Sequence, residues 1–137
     1  MRDEGYGDVR VEAEAYRTEG ARDGYYGVIC RFENGSNYYL FFVGSDGSYG
    51  IAKKLAGNLI FLQQLQDTQS VIKTGGTPNR VRGDCIGTTL TLYVNGVKMA
   101  SVEDTDFGGG SVGVAIGVRR TPGYEVLFQY FALYVPE

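Results

Sequence analysis

Residues Asn79–Val102 read NRVRGDCIGTTLTLYVNGVKMASV: three short alternating strands joined by tight glycine turns, the second turn at Asn95–Gly96. Asn-Gly between alternating apolar runs predicts a two-residue type I′ hairpin turn, which needs positive φ at both central positions. Leu90, Leu92 and Val94 fall on one face of the middle strand, and Thr89, Thr91 and Tyr93 on the other. That is the pattern of a half-buried antiparallel strand, and it makes the fold class all-β.

Working outward, the same period of two recurs along the chain. In Asp8–Tyr16, Val9, Val11, Ala13 and Ala15 face one way and Arg10, Glu12, Glu14 and Tyr16 the other. Tyr25–Phe32 follows with Tyr26, Val28, Cys30 and Phe32 on one face, and Asn34–Gly35 turns the chain into Tyr38–Val43, YYLFFV. A strand apolar on both faces belongs in the middle of a sheet, covered twice. Tyr49–Lys53 is a further strand, whereas Leu55–Gln69 reads equally as a short strand or a helical turn. In Val112–Val118, Gly113, Ala115 and Gly117 leave one face bare, so that something can approach the backbone there. The last strand, Glu125–Val135, breaks parity: Val126 and Phe128 share a face, but Phe131, Leu133 and Val135 continue at odd spacing. A bulge around Gln129–Tyr130 would restore the register.

About ten short strands with regularly spaced turns and no helical period predict a sandwich or barrel, and the doubly apolar strands favour two packed sheets. The 137 residues suffice for one domain spanning 1–137. The charged start, MRDEGYGDVRVEAE, enters a strand almost at once, as expected of a fragment of a larger protein.

Composition narrows the chemistry. The chain has 21 Gly, 11 Tyr, 7 Phe, no Trp and no His. Without histidine there is no Ser-His or Cys-His nucleophile and no His-ligated zinc, and no cofactor is expected. A net charge of −3 argues against nucleic acid as a partner. The densest basic clusters, Arg80 with Arg82 and Arg119–Arg120, read as solvated edges or turns. No apolar run is long enough to span a bilayer. Cys30 and Cys85 lie in different strands and read either as a disulfide of an exported protein or as two small buried hydrophobes.

Several segments together, GVICRF (Gly27–Phe32), NYYLF (Asn37–Phe41), DGSYGIAK (Asp46–Lys53), LTLYVNG (Leu90–Gly96) and GGGSVGV (Gly108–Val114), resemble the concanavalin A-like lectin/glucanase superfamily. Within it the likeness is to laminin-G-like jelly rolls and bacterial 3-keto-disaccharide hydrolase-like domains, from Asp8 to Val135. The resemblance implies a two-sheet antiparallel jelly-roll sandwich whose concave face binds sugars or peptides, in an extracytoplasmic setting. Related sequences close with F-D-N-F where Phe128–Phe131 reads FQYF, so any role of that Asp is lost. A strand that usually precedes the one at Asp8 is barely present, leaving an unpaired edge.

Glycoside hydrolysis would need two carboxyl groups about 5–5.5 Å or 6.5–9.5 Å apart. Glu12 and Glu14 share a strand face about 6.5–7 Å apart. However, laminarinase-type relatives carry E-x-D-x-x-E, and here the third acid, Glu19, comes five residues later, beyond the strand. The catalytic motif fails, and no catalytic residue is assigned. Arg31 faces away from the Val28/Cys30 row and is placed to pair with Glu12 or Glu14, either structurally or while holding a ligand. Tyr39 and Tyr93 lie opposite the predicted core rows, where an aromatic face can stack on a sugar. Asp104-Thr105-Asp106 reads as a turn and not as a calcium loop, since it lacks EF-hand spacing. The expectation is a non-catalytic extracytoplasmic module binding carbohydrate or another extracellular ligand through Glu12, Glu14, Arg31, Tyr39 and Tyr93. The alternatives are a saccharide-active enzyme domain and a structural or homodimerising module.

Overall fold

The computed structural model describes residues 6–20, 22–118 and 120–136. The first five residues of the charged start and Arg119 of the second basic cluster lie outside them. Ten strands follow one another: β1 Val9–Glu19, β2 Gly24–Asn34, β3 Asn37–Gly44, β4 Ser48–Leu55, β5 Asn58–Gln66, β6 Asn79–Ile86, β7 Thr89–Val94, β8 Val97–Glu103, β9 Ser111–Val118 and β10 Glu125–Tyr134. They form two five-stranded antiparallel sheets in the orders β10-β1-β6-β7-β8 and β5-β4-β3-β2-β9, a jelly-roll sandwich.

The quoted stretch forms β6, β7 and β8. Asn95 and Gly96 have φ of 51° and 85°, as a type I′ turn requires. Leu90, Leu92 and Val94 are fully buried and face Val28, Phe41 and Ile51 of the other sheet within one core. Gly83 on β6 makes room for Phe41: a Cβ there would lie 2.4 Å from the ring. Beside it Cys30 on β2 and Cys85 on β6 are bonded, joining the sheets across the core with Cα atoms 6.7 Å apart. The bulge expected at the end of the chain is present, since Glu14 pairs with Tyr130 and Ala15 with Phe128, leaving Gln129 as the extra residue. Leu55–Gln69, undecided from sequence, holds strand β5. It is entered through Ala56–Gly57, both at positive φ, with Asn37 Oδ1 accepting the Ala56 N–H.

Three expected orientations are corrected, and the first is Phe32, which leaves the row of Tyr26, Val28 and Cys30 because a register shift in β2 turns it to the sheet's other face, against Tyr38. Arg31 does not face away from the core row beside Glu12 and Glu14. The register of β2 shifts around it against both neighbouring strands, and Arg31 itself adopts a left-handed φ of 50°. The guanidinium therefore turns inward, 3% exposed, and donates to the carbonyls of Gly7, Phe107 and Cys85, with Asp8 as its ion partner. Buried charge is tolerated when each donor has such an acceptor. Tyr39 is likewise a core residue with no exposure. Its ring packs edge-on against Phe107, and its hydroxyl donates to Asp104 Oδ2 at 2.6 Å. Lys53 completes this arrangement by pairing with both Asp104 and Asp106, so both carboxylates of the turn hold their own loop.

Candidate functional site

The sandwich presents two broad outer faces, built by the same alternation and chemically opposite. On the β10-β1-β6-β7-β8 sheet the outward row is charged and self-paired. Arg80 reaches Glu14 at 2.8 Å and Glu12 at 3.7 Å, and Arg82 grips Asp84 with two bonds of 2.8 Å. Each guanidinium also covers a ring: Arg80 lies 4.3 Å from the centre of Tyr130, Arg82 4.1 Å from Tyr93 and Arg10 5.2 Å from Tyr134. The hydrogen bond from Arg80, with a second from Gln129, holds the Glu14 carboxyl below the usual carboxylate range.

On the β5-β4-β3-β2-β9 sheet the outward row is apolar. Leu40 and Phe42 are 2% and 1% exposed although no described element lies above them. Their cover comes from neighbours on the same face, Tyr25, Phe32, Tyr38 and Ala115. The side chains standing around them hollow this face into a cup. Tyr25 and Phe61 stand edge-on to Phe42, with ring centres 5.9 and 5.7 Å away, and Phe32 stacks on Tyr38 at 5.6 Å. The bare strip on β9 is used from within, because Tyr25 lies across Gly117, where a Cβ would fall 2.4 Å from the ring. Between the standing rings is a cavity of about 320 Å³ lined by Tyr25, Leu40, Phe42, Leu59, Phe61 and Val118. Lys54, the cross-strand neighbour of both Tyr38 and Leu59, stands at its margin. Burial raises the Tyr38 hydroxyl pKa, keeping it a neutral donor there.

The five sequence-predicted contact residues therefore do not meet. Glu12, Glu14 and Tyr93 lie on the charged face, committed to Arg80 and Arg82, while Arg31 and Tyr39 are interior. None of them lines the cavity. Its lining residues were missed because YYLFFV was read only as a strand covered on both sides. The usable signal is its second face, Tyr38, Leu40 and Phe42, which in a sandwich of two sheets has no partner sheet above it.

The fold is a two-sheet antiparallel jelly-roll β-sandwich. No protein-family profile and no curated protein sequence matches the chain. Among solved structures it is similar to the carbohydrate-binding module CBM66 from Bacillus subtilis, with a TM-score of 0.78 and 16% identity over 94% of this chain and 76% of that one. It is similar as well to a tetrameric galectin from Cinachyrella sp., a ball sponge (TM-score 0.68, 12% identity, 98% and 96% coverage). A third likeness is to the GH43 protein BlXynB from Bacillus licheniformis (TM-score 0.67, 12% identity), where 96% of this chain matches 28% of that one. At these identities the likeness is one of fold.

Proposed function

We propose that the chain is a carbohydrate-recognition module of an extracytoplasmic protein and that the cupped sheet is its binding face. The observation that carries this reading is the set of standing rings, Tyr25, Phe42 and Phe61, around an open cavity, with no guanidinium among the described residues covering them. At the mouth of the cavity the exposed Phe61 ring offers an apolar surface to the C–H patches of a sugar, while the sugar's hydroxyls reach polar groups such as Lys54 and the Tyr38 hydroxyl at the margin. The sandwich likeness to a carbohydrate-binding module and a galectin supports it, and the buried Cys30–Cys85 bond suits an oxidising compartment. The finer kinship to laminin-G-like and 3-keto-disaccharide hydrolase-like domains belongs to the same reading and rests on the quoted motifs. Glu12, Glu14 and Tyr93 form the second surface to be tested. A glycan array followed by calorimetry is the test: binding that Phe61→Ala removes and Glu14→Gln leaves intact supports the cupped face. The reverse result moves the site to the charged sheet, and no glycan bound at all overturns the function.

One observation favours self-association alongside ligand binding. The edge strands β9 and β10 lie on the same open side of the sandwich, and core-facing Ile116 and Phe131 there are 49% and 45% exposed. Between them β9 and β10 carry a single charged residue, Glu125, so little guards either edge against strand pairing. Sedimentation at increasing concentration tests this reading, with a monomer throughout as the refuting result.

A further inference from the structure

The cavity is dry-walled, and that narrows what enters it. Its lining is three aromatic rings, two leucines and a valine, and the Tyr25 hydroxyl is the one polar side-chain group among them. None of the six residues carries a charge or an amide. A sugar ring placed inside would find only the Tyr25 hydroxyl there for its own hydroxyls, whereas at the open mouth, where Leu59, Phe61 and Val118 are exposed, they keep their contact with water. An apolar ring or short chain, by contrast, would lie between the walls set by Tyr25 and Phe61, with the buried Phe42 as floor. The polar groups suited to hydroxyls, Lys54 and Tyr38, stand outside the cavity on adjoining positions. The volume of about 320 Å³ is at the small end of ligand cavities, which start near 300 Å³. It suits one such substituent and not a chain of sugars.

We infer that the cavity takes the apolar substituent of a glycoconjugate, an aryl or short alkyl aglycone, while the sugar rests on the rim. The ligand class is then a glycoside with an apolar head, instead of a plain oligosaccharide laid along the sheet. This inference rests on the saccharide reading above. It adds that specificity comes from what the sugar is attached to.

Matched probes test it on the full chain: phenyl and methyl β-glycosides of glucose and of galactose, titrated by calorimetry and by NMR. The phenyl compounds should bind about tenfold or more tightly than the methyl ones, as burial of an apolar ring in water predicts. The Ala52 and Ala115 methyl signals, which belong to the cup, should shift with them. Phe61→Ala should abolish the phenyl preference. Because Phe61 is half exposed on an edge strand, this variant keeps the fold, and its unchanged melting curve would show that. Equal binding of phenyl and methyl glycosides overturns the inference and leaves the saccharide reading standing. Phenol binding as tightly as phenyl glycoside, with no glycan bound anywhere, overturns both. Phenyl-induced shifts confined to the charged face also overturn the inference.

Discussion

The two outer faces use the same strand alternation and reach opposite ends. On the charged sheet, Tyr93, Tyr130 and Tyr134 are each capped by an arginine and each of these arginines is tied to a carboxylate, so their rings are engaged before any ligand arrives. On the cupped sheet, the small residues Gly117 and Ala115 let rings stand and interlock around an open cavity. The number of aromatic residues on a face therefore says little about recognition. What matters is whether the faces of the rings are already occupied.

The largest effect should strike both faces together. Replacing Cys30 and Cys85 by alanine removes the one covalent tie between the sheets, across 55 residues of sequence. The expected loss is about 4 kcal/mol in denaturant titrations, and a loss below about 1 kcal/mol would refute the structural role of the tie. Next, Phe42→Ala asks whether the cup is a true second core. A ring 1% exposed should cost about 3 kcal/mol when truncated. Tyr93→Ala on the charged face should cost under about 1 kcal/mol. Comparable losses from the two variants would break the distinction drawn between the faces.

A third test reads the interior between the faces. Burial, reinforced by the bond to the Asp104 carboxylate, pushes the Tyr39 hydroxyl up to about 12, and burial does the same to Tyr26. Both folded values lie above the ordinary tyrosine value near 10. Their stabilising contribution is therefore complete below pH 10 and is lost as pH rises through about 12. Ultraviolet titration should show these two phenols among the last to ionise, together with unfolding. Tyr39→Phe should remove one of them, and an unchanged late step in that variant would contradict the placement of Tyr39.

Much of this fold is written in local pattern. The Asn95–Gly96 turn, the core row Leu90, Leu92, Val94 and the bulge at Gln129 all follow from a period of two and its one interruption. The illegible parts are those where the backbone leaves that period without a glycine to announce it. Arg31 takes a left-handed φ inside a bulge and swings from the predicted outer face to the interior. Ala56 takes the same conformation in a hairpin turn, which hides β5 from a reader looking for Asn-Gly. The cup was illegible for another reason. Alternation tells which side chains share a face, but the packing of rings from β2, β3 and β5 across that face decides whether it is open, filled or partly both.

The smallest effect concerns the charged face alone. Arg80→Ala frees Glu14 and uncovers Tyr130, yet both partners are partly solvated, so the stability change should stay within about 1 kcal/mol and shrink in high salt. Its sharper signature is in acid. The Glu14 carboxyl sits below its ordinary value because Arg80 and Gln129 donate to it. Its contribution is thus present above the unfolded carboxylate range and disappears as pH falls through the lowered folded value. In Arg80→Ala the Glu14 side-chain carbon should titrate by NMR at a higher pH than in the parent protein. If it titrates at the same pH, the guanidinium is not what engages this face. The uncovered Tyr130 ring should meanwhile gain no sugar binding, because it stands on the charged sheet, away from the ring-lined cavity. Should Arg80→Ala create glycan affinity, ring occupancy alone would separate the two faces and the cavity would not be needed.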